Sequence, residues 1–293
     1  MEMMKIVWLG QYKHLAPSLN HLRFSLSRIA EVVAYGDGEG FIPEFDTLKI
    51  VGKEHPDAIF IGSNQYKFKN LKQVQIPKAL KLGDPHANYE RHCKWLKENR
   101  VYPLSVFGDW IPKYEKCFGK GNVGWLPFTI DHKIYPNLGL RRRIDVFYAT
   151  SPIADLHPIR HAMSQMLPRR KEIKSFTPTA YLSDQSWIQT LNESKIFAFD
   201  SSRYKYAVPK FYEGLACGCA VMATRPADAE RLHLIADENY IEVEPYNWFR
   251  KLRYYLINSD KRIILAKKGY ETYMKYHTSD VRARELLQTL KEI

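Results

Sequence analysis

The segment Tyr206–Thr224, YAVPKFYEGLACGCAVMAT, joins a proline-opened amphipathic stretch to a run of small apolar residues. Pro209 suits the first position of a helix, where its fixed φ is already helical and its missing N–H costs nothing. Gly218 is placed to end that helix and turn the chain into a buried strand beginning at Ala220. A helix opened in this way presents backbone amides and the positive end of its dipole, which together attract an anion. Lys210 and Glu213, three residues apart, share one of its faces. A lysine suits phosphate oxygens, and a carboxylate suits a pair of ribose hydroxyls. By spacing alone, the same residues equally describe a plain surface helix.

Outward from this segment, short apolar runs alternate with longer amphipathic stretches, the pattern of βαβ units and a parallel sheet. Strands are expected at Lys5–Leu9, Glu31–Tyr35, Asp57–Ile61, Ile76–Leu82, Leu104–Phe107 and Asn122–Leu126, with a helix over Pro17–Ile29. From Pro127 to Arg143 two prolines, a glycine and three arginines break the pattern and read as a linker. A second series follows. Its strands are Asp145–Ala149, Glu172–Phe176, Lys195–Phe199, Ala220–Thr224 and Tyr240–Val243, and its helices lie near His157–Met166, Asp184–Asn192 and Pro209–Ala216. Long amphipathic helices run from about Trp248 to the end. Two Rossmann-like α/β domains are thus expected, residues 1–132 and 133–293. Ligands of such domains collect at the carboxyl ends of the strands and in the cleft between facing sheets.

The composition excludes several classes. At 45% hydrophobic and 26% charged residues the chain is globular, not disordered. No apolar run reaches membrane-spanning length and no signal peptide opens the chain, so a cytoplasmic location is expected. Cys93, Cys117, Cys217 and Cys219 lack zinc-site spacing and read as reduced thiols, the last two as small packing residues beside a turn. The net charge of +12 favours anionic partners: nucleotide phosphates, nucleic acid or a membrane surface. Five lysines and no acid fall between Lys67 and Lys81. Asp84 and His86, in a Gly-Asp-Pro-His run after an expected strand, are candidates for acid–base or acceptor contacts, though the run is also ordinary turn chemistry. Gly10, Gln11 and His14 follow the first strand and are acceptor-side candidates.

Lys210, Glu213, Gly214, Leu215, Ala216, Cys217 and Gly218 resemble the donor-binding element of the GT-B glycosyltransferases of group 1, or family 4-like, in which a basic residue and then Glu-Ala-Leu/Met-Ala-Cys-Gly precede an apolar strand. WLPFTIDHKIYP (Trp125–Pro136) is similar to the phrase before that group's second domain, and DVFYATS (Asp145–Ser151) to its opening strand and turn. HTSDVRARELL (His277–Leu287) resembles the closing helix of the spore-coat CgeB-like branch. The likeness covers about Gly124 to the end.

The resemblance implies a GT-B fold, two Rossmann-like domains with parallel sheets facing across a cleft and C-terminal helices packing back on the first. It implies transfer of a sugar from a nucleoside-diphosphate donor, UDP- or GDP-linked, without a metal or other cofactor. Glu213 would hold the ribose, and Lys210 and Arg160 the diphosphate. Phe176, Thr177 and Tyr181 would border the base, with Ser151 and Tyr206 completing the donor set. Retaining members carry another glutamate eight residues before the one matched by Glu213; here that position is Lys205. The acceptor is left open among glycan, lipid-linked, protein and nucleic acid, with peripheral membrane association compatible with the charge. Two rival readings are a nucleotide-sugar epimerase on the same scaffold and a basic nucleic-acid-binding protein, with DNA as sugar acceptor a hybrid of the two classes.

Overall fold

In the computed structural model, which describes residues 3–10, 17–36, 44–63, 66–149, 153–180 and 182–293, the chain forms two compact units. The first comprises Met1–Asp131 and Ser279–Ile293, the second His132–Thr278.

The first unit runs β1 (Lys5–Leu9), α1 (Pro17–Leu26), β2 (Glu31–Tyr35), β3 (Glu44–Asp46), α2 (Thr47–Glu54), β4 (Ala58–Ile61), β5 (Lys67–Lys69), β6 (Lys78–Leu82), α3 (Pro85–Asn99), β7 (Tyr102–Ser105), α4 (Ile111–Phe118) and β8 (Gly124–Trp125). Six strands form one parallel sheet in the order β2-β1-β4-β6-β7-β8, and β3 pairs with β5 alongside. Strands covered on both faces read as near-continuous apolar runs, as in IVWL of β1 and AIFI of β4. Val7, Leu9, Ile59, Ile61, Leu80 and Leu82 pack with Ile50 of α2, Leu96 of α3 and Tyr114 of α4. The alternate residues Ile6, Trp8, Phe60, Ala79 and Leu104 face the other way, toward Leu22 and Leu26 of α1.

The second unit runs β9 (Ile144–Tyr148), α5 (Pro158–Met166), β10 (Ser175–Phe176), α6 (Asp184–Glu193), β11 (Ser194–Ala198), α7 (Pro209–Ala216), β12 (Ala220–Ala223), β13 (Ile241–Glu242), α8 (Trp248–Ile257) and α9 (Ser259–Tyr276). Its sheet is parallel, in the order β10-β9-β11-β12-β13. Val146, Ile196 and Met222 pack with Met163 of α5, Leu252 of α8 and Leu265 of α9. On the other face Phe147, Phe197 and Phe199 form a continuous aromatic layer with Trp187 of α6 and Phe211 of α7, at centroid separations of 4.8–5.1 Å. The chain closes in α10 (Ser279–Glu292), which packs on α1 and adds Ala283, Leu286 and Leu290 to the first unit's core. Arg28 holds that joint: its guanidinium lies 2.8 Å from the fully buried Asp131 and 2.7 Å from Asp280.

The parallel sheets, their helical cover and a C-terminal helix in the first unit agree with the expected architecture. The helix expected through Ile29 ends earlier, at Leu26. There the Ala30 amide bonds back to the Leu26 carbonyl and turns the chain into β2. The strand expected from Glu172 begins at Ser175, because Arg170–Ile173 close a turn. Among the described residues no helix is long and apolar enough to cross a membrane. The four cysteines are unpaired, and Cys217 and Cys219 are buried, as expected of packing residues.

Helix α7 lies unusually close to its sheet. A Cβ on Gly214 would stand 2.7 Å from Val221 Cγ2 and 2.9 Å from Phe197 Cδ1. Gly214→Ala therefore forces α7 off the sheet and is expected to lower stability by about 1–3 kcal/mol, read as a fall in the thermal unfolding midpoint.

Candidate functional site

The candidate site is built at the start of α7. Val208, which precedes it in extended conformation, offers no capping side chain, and Pro209 opens the first turn. One turn on, Glu213 is half-buried. The Trp187 indole N–H donates to its Oε2 at 3.0 Å, while Oε1 has no protein partner among the described residues. Burial raises the Glu213 carboxyl above the ordinary carboxylate range, with Lys210 and the Trp187 bond pulling the other way. Lys210 is also half-buried, its Nζ 5.9 Å from the Trp187 ring centroid. Burial lowers its amine, partly offset by Glu213. A cation, a half-open carboxylate and an uncapped helix start thus share one face.

Asp200, just past the end of β11, organises the neighbouring helix. Its Oδ2 accepts the amides of Ile159 and Arg160 in the first turn of α5, each at 3.1 Å. Its Oδ1 lies 2.6 Å from His157 Nδ1. Arg160 is 8% exposed. Its Nη2 donates to the Asp200 carbonyl at 2.9 Å, and its Nε lies 3.3 Å from Oδ1 without hydrogen-bond alignment. The guanidinium expected to meet a diphosphate is therefore already held by a carboxylate. Its Nη1 edge has no protein hydrogen bond among the described residues. Burial also lowers the His157 imidazole below its ordinary value, with the Asp200 bond opposing.

Phe176, at the end of β10, is exposed and packs its ring 5.8 Å from Phe147, leaving a free aromatic face. The buried hydroxyl of Thr177 beside it has no hydrogen-bond partner among the described residues. Tyr206 is buried and stacks on Tyr204 at 5.6 Å. Ser151 and Tyr181 lie outside the described residues. Arg160, Phe176, Thr177, Tyr206, Lys210 and Glu213 thus all follow the carboxyl ends of β9, β10 and β11, the edge where open parallel sheets bind ligands. Lys205, at the position of the family's other glutamate, is exposed in a left-handed backbone conformation with φ 54°.

In the first unit Asp84 and His86 are both exposed at the start of α3. The Asp84 carbonyl, not its carboxylate, serves the helix, accepting from the Ala87 amide and Asn88 Nδ2. Gly10 is buried at the end of β1, close enough to Gly62 that a Cβ would stand 3.3 Å from it. Gln11 and His14 lie outside the described residues. Sequence reasoning passed over Trp187, Asp200 and His157; the lone acid after the apolar run KIFAF was the signal available for Asp200. It also passed over Lys81, near the carboxyl end of β6. The Lys81 side chain is buried, its Nζ has no hydrogen-bond partner among the described residues, and the Phe128 ring centroid lies 5.0 Å away. Burial alone lowers its amine to about 7.

Residues 170–288 match the family described as glycosyl transferase-like. Among solved structures, the chain is similar to HepE (Alr3699) of Anabaena, crystallised with UDP-glucose. The TM-score is 0.68 at 15% identity, over 99% of this chain and 100% of that one. It is also similar to a glycosyltransferase from Rickettsia africae, at TM-score 0.61 and 11% identity over 100% and 99% of the two chains. A third is an α-glucosyltransferase solved with UDP and a 13-mer DNA containing an HMU base. There the TM-score is 0.65 at 9% identity, over 99% and 100%. No curated protein sequence matches the chain.

The buried amine gives a measurable signature. Between pH 7 and the unfolded value near 10.5, unfolded Lys81 binds a proton that the folded amine does not, so stability rises with pH across that window. Lys81→Met is expected to remove that part of the slope in urea unfolding measured from pH 7 to 10.

Proposed function

We propose that this chain, a glycosyltransferase of GT-B fold, transfers a hexosyl group from a nucleoside-diphosphate sugar to an acceptor hydroxyl. The observation that carries the reading is Glu213, with one oxygen anchored by Trp187 and the other open, on the same helical face as Lys210. A ribose offers two adjacent hydroxyls, which match a carboxylate held in a fixed orientation. The diphosphate then lies toward the α7 N-terminus, where Lys210 and the dipole oppose its charge, with the free edge of Arg160 beside them. The base packs on Phe176 and bonds the Thr177 hydroxyl, with Ser151, Tyr181 and Tyr206 completing the donor set.

In the transfer, the bond from the anomeric carbon to the diphosphate oxygen breaks as the acceptor oxygen bonds that carbon, and the acceptor hydroxyl's proton passes to the departing diphosphate or to solvent. Stabilising the departing diphosphate is the main electrostatic task. Lys210, Arg160 and the helix end supply positive charge for it, so in this reading no metal is needed, and transfer should survive a chelator. Asp84, His86, Gly10, Gln11 and His14 of the first unit are assigned to the acceptor side. UDP-linked donors come first, because HepE was solved with UDP-glucose. The net charge of +12 supports an anionic acceptor, and the DNA-bound α-glucosyltransferase of similar fold makes DNA one to try.

Calorimetry with UDP, GDP, ADP and TDP is expected to show binding of at least one, UDP first. Removing a charge-assisted partner with Glu213→Ala should weaken that binding roughly tenfold to a hundredfold. No heat with any nucleotide would overturn the assignment. The pH dependence follows from the raised Glu213 carboxyl: only the ionised form accepts from both ribose hydroxyls with charge assistance, so affinity is full above its raised value. As pH falls, affinity should drop earlier than an ordinary carboxylate would allow, and Glu213→Gln should flatten that fall.

A further inference from the structure

We propose that the second unit holds another anion site, built for a phosphate group, at the opposite end of α7 from the donor residues. A cavity of about 370 Å³ opens there, lined by Arg142, Lys195, Arg262, Lys267, Asn137 and Tyr270, with no acidic residue among the described lining. Gly218, just past the end of α7, forms part of the wall. Its φ is +67°, and a Cβ there would stand 2.6 Å from Asn137 Nδ2 and 3.1 Å from Arg142 Nη2. Because α7 rises about 1.5 Å per residue, its last residue, Ala216, lies roughly 10 Å from Pro209, and Gly218 follows beyond it. The cavity is therefore distinct from the diphosphate position proposed above, and the inference does not rest on that reading.

Two of the cations are already committed to the protein. Arg142 Nη1 donates to the carbonyls of Leu191 and Ser194 at 3.0 and 2.7 Å, and its Nη2 to Cys217 at 2.7 Å. It thereby answers the carbonyl ends of α6 and α7. Lys195 pairs with Asp145 at 2.6 Å. Arg262 differs. Only 9% exposed, it uses Nη1 on the Tyr255 and Leu256 carbonyls at the end of α8. Its Nε and Nη2 have no protein hydrogen bond among the described residues, although the Asp145 carboxylate that pairs with Lys195 also acts on its charge. Lys267 reaches its nearest acid, Glu271, only at 3.9 Å. A planar edge of two N–H groups matches two oxygens of one phosphate, and Lys267 in the same lining adds a further positive charge.

The lining also carries apolar surface: Ile263 is 60% exposed, and Ala266 lies beside it on the same wall. An exposed isoleucine in the wall of a phosphate pocket suits a phosphate carried on a hydrocarbon chain as well as a free one.

The test uses the full chain and two probes. Titration with sodium pyrophosphate, in the Lys210→Ala background so that the proposed diphosphate position contributes least, tests a soluble anion. Co-sedimentation with phosphatidylglycerol–phosphatidylcholine vesicles, against phosphatidylcholine alone, tests a lipid phosphate. Lys267→Glu, at a solvent-facing position, is expected to weaken binding of either probe roughly tenfold. Loss confined to pyrophosphate assigns a soluble ligand. Loss of vesicle binding, shared by Ile263→Asp, assigns a lipid headgroup. No binding of either probe, or binding indifferent to Lys267→Glu, would overturn the proposal.

Discussion

The close seat of α7 on its sheet governs the second unit. With no side chain at Gly214, the helix backbone comes within contact of Phe197 and Val221. Packed interiors deform little, so that contact fixes the direction in which Glu213 and Lys210 leave the helix. The aromatic layer beneath, from Phe147 through Phe197 and Phe199 to Phe211, leaves no slack for a tilt. Trp187 belongs to that layer and also bonds Glu213. Core packing and site geometry are therefore set by the same ring.

Electrostatics divide along the same helices. At the carboxyl edge of the sheet, Asp200 caps the first turn of α5 and pairs with Arg160 and His157, so a buried guanidinium keeps its charge balanced. The start of α7 has no side-chain cap among the described residues, so the positive end of its dipole attracts an anion there. At the opposite edge, carbonyl ends of α6, α7 and α8 are met by Arg142 and Arg262. Basic side chains at helix carboxyl ends oppose the dipole, which explains why part of a strongly basic composition sits inside the fold rather than on its surface.

The first unit follows the plainer rule that a parallel sheet must be covered on both faces. Helices α2, α3 and α4 cover one, and α1 with α10 the other. The chain leaves this unit after Asp131 and returns at Ser279. The pairing of Arg28 with both Asp131 and Asp280 joins those two crossing points electrostatically.

What could be read from the residues alone was whatever depends on neighbours along the chain. KIVWL and DAIFI announced buried parallel strands, and Pro209 and Gly218 marked the ends of α7, because local dihedral preference and continuous burial leave a trace in the sequence. Lys210 and Glu213 were legible as one face for the same reason. The structure alone decided what those residues meet. Trp187 reaches Glu213 across 26 positions and Arg160 reaches Asp200 across 40, separations no periodicity encodes. The short pair β3 and β5 likewise depends on partners 20 or more residues apart. Lys81 shows the same limit: in KALKL it looks like any strand lysine, and only the closing of helices and loops over that face strips its amine of water.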